Sequence, residues 1–241
     1  MNTKLIDRQF HVIAISKYLE NHFKGRKIHT IRIPVIMDKD SILPEKDASA
    51  DKVVVSYAGR IGKKDYITNI LKAFLLLNDE EKKKIEFRLM GANAAQVSKI
   101  TGISPEVLKA NSDLIHCMGR VPREVVLQNL RQTDFTILIR DPNLRYAKAG
   151  FPTKVVESLM SGTPVICNLS SDLGDYLIDG TNSILSDSIE PEIICKAIRR
   201  AAELSPEKRN QMKSEARNTA VKSFDYRNYI SDFQKWSSEN E

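Results

Sequence analysis

Along most of the chain, short apolar runs alternate with stretches in which apolar residues recur every three or four positions. The runs KVVVSYAG (52–59), IEFRLMG (85–91), LIHCMG (114–119), DFTILI (134–139) and TPVICN (163–168) are β-branched or continuously apolar, as strands buried on both faces are. Between them the helical period predicts helices near 66–78, 104–110, 122–131 and 153–161. This alternation predicts a doubly wound α/β domain, a parallel sheet with helices on both faces, whose ligands bind beyond the carboxyl ends of the strands. NSILSD (182–187) adds a last short strand, and from residue 189 the chain reads as helices broken near Ser205 and Phe224. Phe224, Tyr226, Tyr229, Phe233 and Trp236 make its terminal segment aromatic, suited either to a partner surface or to ordinary core packing. At the other end FHVIAI (10–15) reads as a strand, SKYLENHF (16–23) as a helix capped by Ser16, and HTIRIPVIMD (29–38) as a second strand. A charged stretch without hydrophobic period, 39–51, forms a linker to a main domain, 52–222, and a terminal segment, 223–241.

Composition narrows the function classes. With 241 residues, 41% hydrophobic and 28% charged, the chain suits one large domain or a domain plus a fragment. No apolar run approaches the roughly 20 residues that span a bilayer, and MNTKLIDRQF lacks a signal-peptide core, so a cytoplasmic protein is expected. Three widely spaced cysteines, Cys117, Cys167 and Cys195, indicate neither a disulfide framework nor a zinc site. A net charge of +6 favours phosphorylated ligands or anionic surfaces. The basic residues are interleaved with acids, as in NDEEKKK (78–84), which is the pattern of solvated helix faces and not of a nucleic-acid partner.

The densest chemistry lies in KAGFPTKVVESLMSGTPVIC (148–167). Gly150 and Pro152 punctuate a loop, Pro152 suits the first turn of a helix, and Gly162 stops that helix before the strand at 163–168. Thr153 and Glu157 stand one turn apart near its start. Unpaired N–H groups there attract a phosphate, and a carboxylate one turn further in can accept hydrogen bonds from sugar hydroxyls. A second loop, AGRIGKKD (58–65), follows the strand at 52–59. Gly59 and Gly62 permit close backbone approach there, and Arg60, Lys63 and Lys64 place positive charge where a diphosphate could be met. Taken alone, such a loop is more often a solvated turn. In a third, a strand ends at Gly119 and Pro122 opens a helix whose first turn carries Glu124. His116 reads as a strand-end residue satisfied by its neighbours, and Asp141, Asn143 and Arg145 as a polar loop.

GFPTKVVESLMSGTPVI resembles the donor-binding segment of the GT-B glycosyltransferases, most closely the retaining family 4 group, in which a Gly-Phe-Pro or Gly-Phe-Gly loop opens a helix bearing a Glu. The resemblance implies a Rossmann-like C-terminal half of a GT-B fold with C-terminal helices. It implies that Glu157 holds the ribose of a sugar nucleotide, while Lys148, Phe151 and Lys154, with the backbone from Gly150 through Pro152 to Thr153, surround the donor. The family's second Glu, eight positions earlier, is Ala149 here. AGRIGKKD resembles the family's Gly-Arg … Lys-Gly loop, whose Arg and Lys neutralise the diphosphate leaving group. By that match Arg60 is catalytic, Gly59 approaches the donor, and the Lys is Lys63 or Lys64. Lys64 is favoured, because it directly precedes Asp65 at the place of the family's Gly. The Gly-x-Val-Pro loop implies base recognition at Arg120 and Val121. Residues 1–38 resemble the tail of the N-terminal acceptor-binding domain, the rest of which is expected to be missing, and 223–241 the helix that crosses back to it. The implied activity is transfer of a sugar from a nucleotide-diphosphate donor to a glycan or lipid-linked acceptor, with retention, without cofactor or obligatory metal. Its implied setting is cell-surface polysaccharide synthesis, with peripheral association at the inner membrane face. The competing readings are a non-catalytic nucleotide-sugar-binding module and a GT-B-fold epimerase; for the epimerase, the chain shows no acid–base pair.

Overall fold

A computed structural model describes residues 6–7, 10–41, 52–62 and 64–238; most of the expected linker and Lys63 lie outside these. Among the described residues seven strands form one sheet: β3 (Val53–Ala58), β4 (Ile85–Met90), β5 (Ala92–Asn93), β6 (Ile115–Gly119), β7 (Phe135–Leu138), β8 (Val165–Cys167) and β9 (Ser183–Leu185). Their order is β5-β6-β4-β3-β7-β8-β9, parallel throughout except for the β5–β6 pair. The chain builds outward from β3 through β4 to β6, then returns to lay β7 on the other side of β3. Right-handed crossovers on the two sides of that reversal put their helices on opposite faces, and β3–β7 becomes the switch point where such sheets open a crevice.

Helices α2 (Ile67–Leu75) and α9 (Pro191–Ala202) pack together, as do α8 (Thr153–Met160) and α10 (Pro206–Phe224). The sheet between them is dry. Val53, Val55, Ile85, Phe87, Phe135 and Ile166 are at most 2% exposed, and the Phe74 and Phe87 rings stack at 4.5 Å. Burying each such side chain contributes about 1.5–3 kcal/mol, which explains why these runs alone announce the strands.

Several elements differ from the pattern-based expectation. The predicted helix at 66–78 ends at Leu75, because Asn78 opens a separate helix, α3 (Asp79–Lys83), through a capping box with Glu81. A helix unannounced by the hydrophobic period, α4 (Ala94–Thr101), starts at a second capping box, Asn93 with Gln96, and ends at Gly102 with φ +74°. α5 (Pro105–Ala110) and α6 (Arg123–Leu130) lie where helices are predicted, and α7 (Arg145–Ala149) occupies part of the predicted polar loop. The break near Ser205 has a plain cause: its side chain caps α10 and Pro206 takes the first helical position.

The N-terminal segment forms a small parallel pair, β1 (Val12–Ala14) with β2 (Thr30–Arg32), around α1 (Lys17–Lys24). Ser16 is buried; its Oγ accepts from the Leu19 N–H at 3.3 Å and donates to the Ala149 carbonyl at 2.8 Å. Asp172 accepts from the Lys17 N–H at 2.8 Å and from Arg32 Nη1 at 3.0 Å. After α10, a turn leads into α11 (Ile230–Ser238), whose Trp236 stacks on His29 with centroids 5.3 Å apart. The chain's last helix therefore lies against its first strands.

Candidate active site

The three chemically marked loops meet at the carboxyl ends of the strands. A cleft of about 710 Å³ is lined by Gly59, Arg60 and Ile61 after β3, Gly91 after β4, and Arg120 and Val121 after β6. A recess of about 40 Å³ adjoins it, lined by Tyr57 and Ala58 of β3 and by Lys154 and Glu157 of α8; Val126 lines both. Arg60 and Glu157 thus face adjoining spaces beside the switch point.

The cleft floor is backbone. Gly59 and Gly91 are neighbours across β3 and β4, joined by the Gly59 N–H to the Met90 carbonyl at 2.9 Å, and the Gly91 N–H donates to Gly119 O at 2.7 Å. Gly91 has φ +137°, and a Cβ there would overlap the Gly59 carbonyl oxygen. Only glycine permits this approach. Arg60 and Arg120 are exposed, and neither guanidinium has a protein partner among the described residues. Glu157 is half-buried, and its carboxylate likewise has no partner among them. No side chain caps the start of α8, where Pro152 is the cap residue. The N–H groups of Thr153 and Lys154 therefore face outward from a helix start, an arrangement suited to an anion.

Beside this lies a charged cluster that reading by motif did not find. Asp65, 4% exposed, accepts from Lys154 Nζ at 2.6 Å and Tyr57 Oη at 2.9 Å through Oδ2, and from Arg140 Nε at 2.9 Å through Oδ1. Burial alone would raise its pKa, but the hydrogen bond and charge of Lys154, then Arg140, outweigh that and hold the carboxyl below its ordinary range. Burial first, and then the neighbouring carboxylate, push the Tyr57 phenol well above its usual value, so it stays a donor. Asn168, after β8, fixes Arg140 in turn, accepting from its N–H at 2.9 Å and donating to its carbonyl at 2.6 Å. The only sequence signal for this cluster was an Asp where the resemblance leads one to expect Gly.

The left-handed position in the loop, where a glycine is at home, is Tyr66 with φ +39°, not Asp65. The residue directly before it is therefore Asp65 and not Lys64. Lys64 is exposed, and its ammonium sits 5.5 Å from the centroid of the Tyr146 ring. Two residues of the segment 148–167 are engaged within the protein. The Phe151 ring is buried edge-on against Tyr176 and Phe224, at 5.7 Å from each, so only its backbone is left to face the loop. Gly150 donates its N–H to Tyr146 O at 3.0 Å, ending α7. Thr153 and Lys148 are exposed, with Lys148 on α7. His116 lies along β6 with Nε2 3.8 Å from Glu86, lining a separate surface groove with Cys117. Among the described residues no group of three or more His, Cys, Asp or Glu could hold a metal ion, and no helix is long and apolar enough to cross a membrane.

The fold has counterparts among solved structures. Sucrose-phosphate synthase from Thermosynechococcus elongatus superposes with a TM-score of 0.73 at 18% identity, over 95% of this chain and 58% of that one. HepE of Anabaena, solved in complex with UDP, superposes with a TM-score of 0.75 at 17% identity, over 96% of this chain and 65% of its own. An uncharacterised glycosyltransferase of Methanocaldococcus jannaschii is 22% identical over 93% of this chain and 57% of its own length. The chain therefore spans about three-fifths of the length of these relatives. The fold is that of GT-B glycosyltransferases, and the family model for glycosyl transferases group 1 matches residues 38–219. The chain belongs to the glycosyl transferases group 1 family.

Proposed function

We propose that this chain is the donor-binding part of a glycosyltransferase that moves a sugar from a nucleoside-diphosphate sugar to a glycan or lipid-linked acceptor, with retention at the anomeric carbon. The observation that carries this reading is the meeting of Arg60, the uncapped start of α8 and the unpartnered Glu157 at one sheet edge. The bond from the anomeric carbon to the diphosphate oxygen breaks with its electron pair on that oxygen. The acceptor hydroxyl oxygen bonds the carbon, and its proton passes to the departing diphosphate or to water. Arg60 stabilises the charge that develops on the departing oxygen, where a preorganised donor acts most strongly. Glu157 accepts hydrogen bonds from the ribose, the glycine floor lets the diphosphate approach, and the Arg120–Val121 backbone meets the base. The UDP bound in the HepE structure supports a uridine nucleotide as first probe. We place the protein in cell-surface polysaccharide synthesis at the cytoplasmic membrane face, its basic charge favouring anionic lipid.

Calorimetry with UDP and GDP tests the site. Loss of a charge-assisted contact is worth about 1.5–3 kcal/mol, so Arg60→Ala and Glu157→Ala should each weaken the preferred nucleotide on the order of tenfold or more. Indifference to both substitutions rejects the site. A second reading is a nucleotide-sugar-binding module without turnover. Nucleotide release from UDP-sugar in the presence of acceptor separates the two.

A further inference from the structure

We infer that Lys154 of α8, held in place by Asp65, is the second cation that meets the donor's diphosphate, in the role that the resemblance gives to a lysine of the loop after β3. This rests on the donor-site reading above and deepens it. In the loop, the residue before left-handed Tyr66 is an acid, so its side chain cannot stabilise a departing phosphate. An ammonium nevertheless arrives at that place, because Lys154 Nζ lies 2.6 Å from Asp65 Oδ2. The same ammonium lies against the backbone at the end of β3: a Cβ built on Gly59 would come within 2.9 Å of it. It is thus next to the residue that precedes Arg60.

Three further observations agree. Lys154 and Glu157 are three residues apart on one helix face and line the same recess, so a ligand whose ribose meets Glu157 has its phosphates toward the helix start, where Lys154 is. Asp65 is shared by two cations, Lys154 and Arg140, leaving the cluster with a net positive charge for an incoming anion. The Lys154 side chain is 28% exposed, lines the recess beside the cleft, and holds its ammonium 5.1 Å from the Tyr57 ring centroid, so it is oriented yet reachable. Lys64 has no such support; its ammonium rests over Tyr146 on the solvent side. Asp65 is then a positioning residue that touches no substrate, and Lys154 a residue that touches the leaving group.

The test compares UDP with UMP by calorimetry, because a role at the distal phosphate alters their affinity ratio whereas a structural role lowers both alike. Lys154→Gln should weaken UDP about tenfold or more and UMP by less than about threefold. Lys154→Arg, which keeps the charge, should preserve most of the ratio. The double variant Asp65→Lys with Lys154→Gln moves the ammonium from helix to loop and should recover the UDP preference. Thermal melts confirm that each variant is folded. If Lys154→Gln leaves the ratio unchanged while Arg60→Ala and Glu157→Ala weaken UDP, the donor site stands and this assignment is overturned. If Lys154→Gln lowers the ratio but the relocated ammonium does not restore it, the ammonium's role at this place is refuted. If neither Arg60→Ala nor Glu157→Ala affects UDP, the donor-site reading fails and this inference fails with it.

Discussion

The closest backbone approach in the cleft floor makes a sharp prediction. At Gly91 an L-residue must hold φ near +137°, a region that costs such residues about 1–3 kcal/mol, and its Cβ would overlap the Gly59 carbonyl oxygen and come within 2.9 Å of the carbonyl carbon. Both obstacles are backbone, so no side-chain rotation relieves them. The chain's escape is to turn Gly91 to negative φ, which breaks its 2.7 Å hydrogen bond to Gly119 O, a loss of roughly 1 kcal/mol. Holding the conformation costs the strain plus the overlap, and escaping it costs the hydrogen bond plus the repacking of the floor, so by either route Gly91→Ala should cost about 2–4 kcal/mol, a fall in melting temperature of roughly 4–16 °C for a chain of this size. The matched control is Gly102→Ala: it also has positive φ, +74°, but a Cβ there meets nothing within 4 Å, so only conformational strain of about 1 kcal/mol applies. Melting curves of both variants, with UDP titrations of each, provide the comparison. Gly91→Ala should lose both stability and UDP affinity, Gly102→Ala a little stability alone. Equal melting temperatures for the two would refute the claim that close approach of β3 and β4 shapes the floor.

Other outcomes follow from the same geometry. Asp65→Asn should cost about 2 kcal/mol at neutral pH, since one buried carboxylate then fails two cations, and lower the melting temperature by roughly 4–8 °C. Its folded pKa lies below the ordinary 3.8, so its contribution is complete above that value and lost as pH falls through the lower folded one; melts of wild type and variant should converge in acid. Asp172→Ala removes the acceptor for the Lys17 N–H and Arg32 and should loosen the N-terminal strands by about 1–3 kcal/mol. The emission of the single tryptophan, Trp236, stacked on His29 of that segment, should then shift below the global melt. Burial pushes the Cys167 thiol up to about 12, and Cys195 is also buried, so maleimide labelling at pH 8 should reach Cys117 first and the other two on unfolding.

What could be read from the sequence depended on how local its cause was. β3 is announced by Val53, Val54 and Val55 because a strand buried on both faces must be apolar at every position. The cleft loops are announced by glycine, proline and charge at strand ends. By contrast α4 buries only Val97, so its hydrophobic period is nearly empty, and it stands instead on the Asn93 capping box. The Asp65–Lys154 pair joins residues 89 apart along the chain, and nothing local to either marks its partner. The left-handed turn of the loop after β3 is likewise unmarked, because such backbone, ordinarily signalled by glycine, is here adopted by Tyr66. The burial of the Phe151 ring is also unmarked within its loop, because the rings that it packs on, Tyr176 and Phe224, lie further along the chain.

Helix starts show how the fold keeps this edge available. Ser or Asn side chains cap α1, α3, α4, α5 and α10. The helices that follow the cleft-lining loops, α2 after β3, α6 after β6, and α8, have none, opening on Tyr66, Pro122 and Pro152. Absence of a cap is not by itself a sign of a site, since α7 and α9 lack one too. The three differ in what surrounds them: Arg60 and Arg120 on the adjoining loops line the cleft, and Lys154 in the first turn of α8 lines the recess beside it. A cap contributes about 1 kcal/mol, so the three together forgo about 3 kcal/mol that a Ser or Asn could have supplied. An anion received among those starts recovers part of that, and the switch point between β3 and β7 is where the sheet leaves room for one. The same substitution therefore separates stability from function: Pro152→Ser, adding a side-chain acceptor at the start of α8, should raise the melting temperature while weakening UDP.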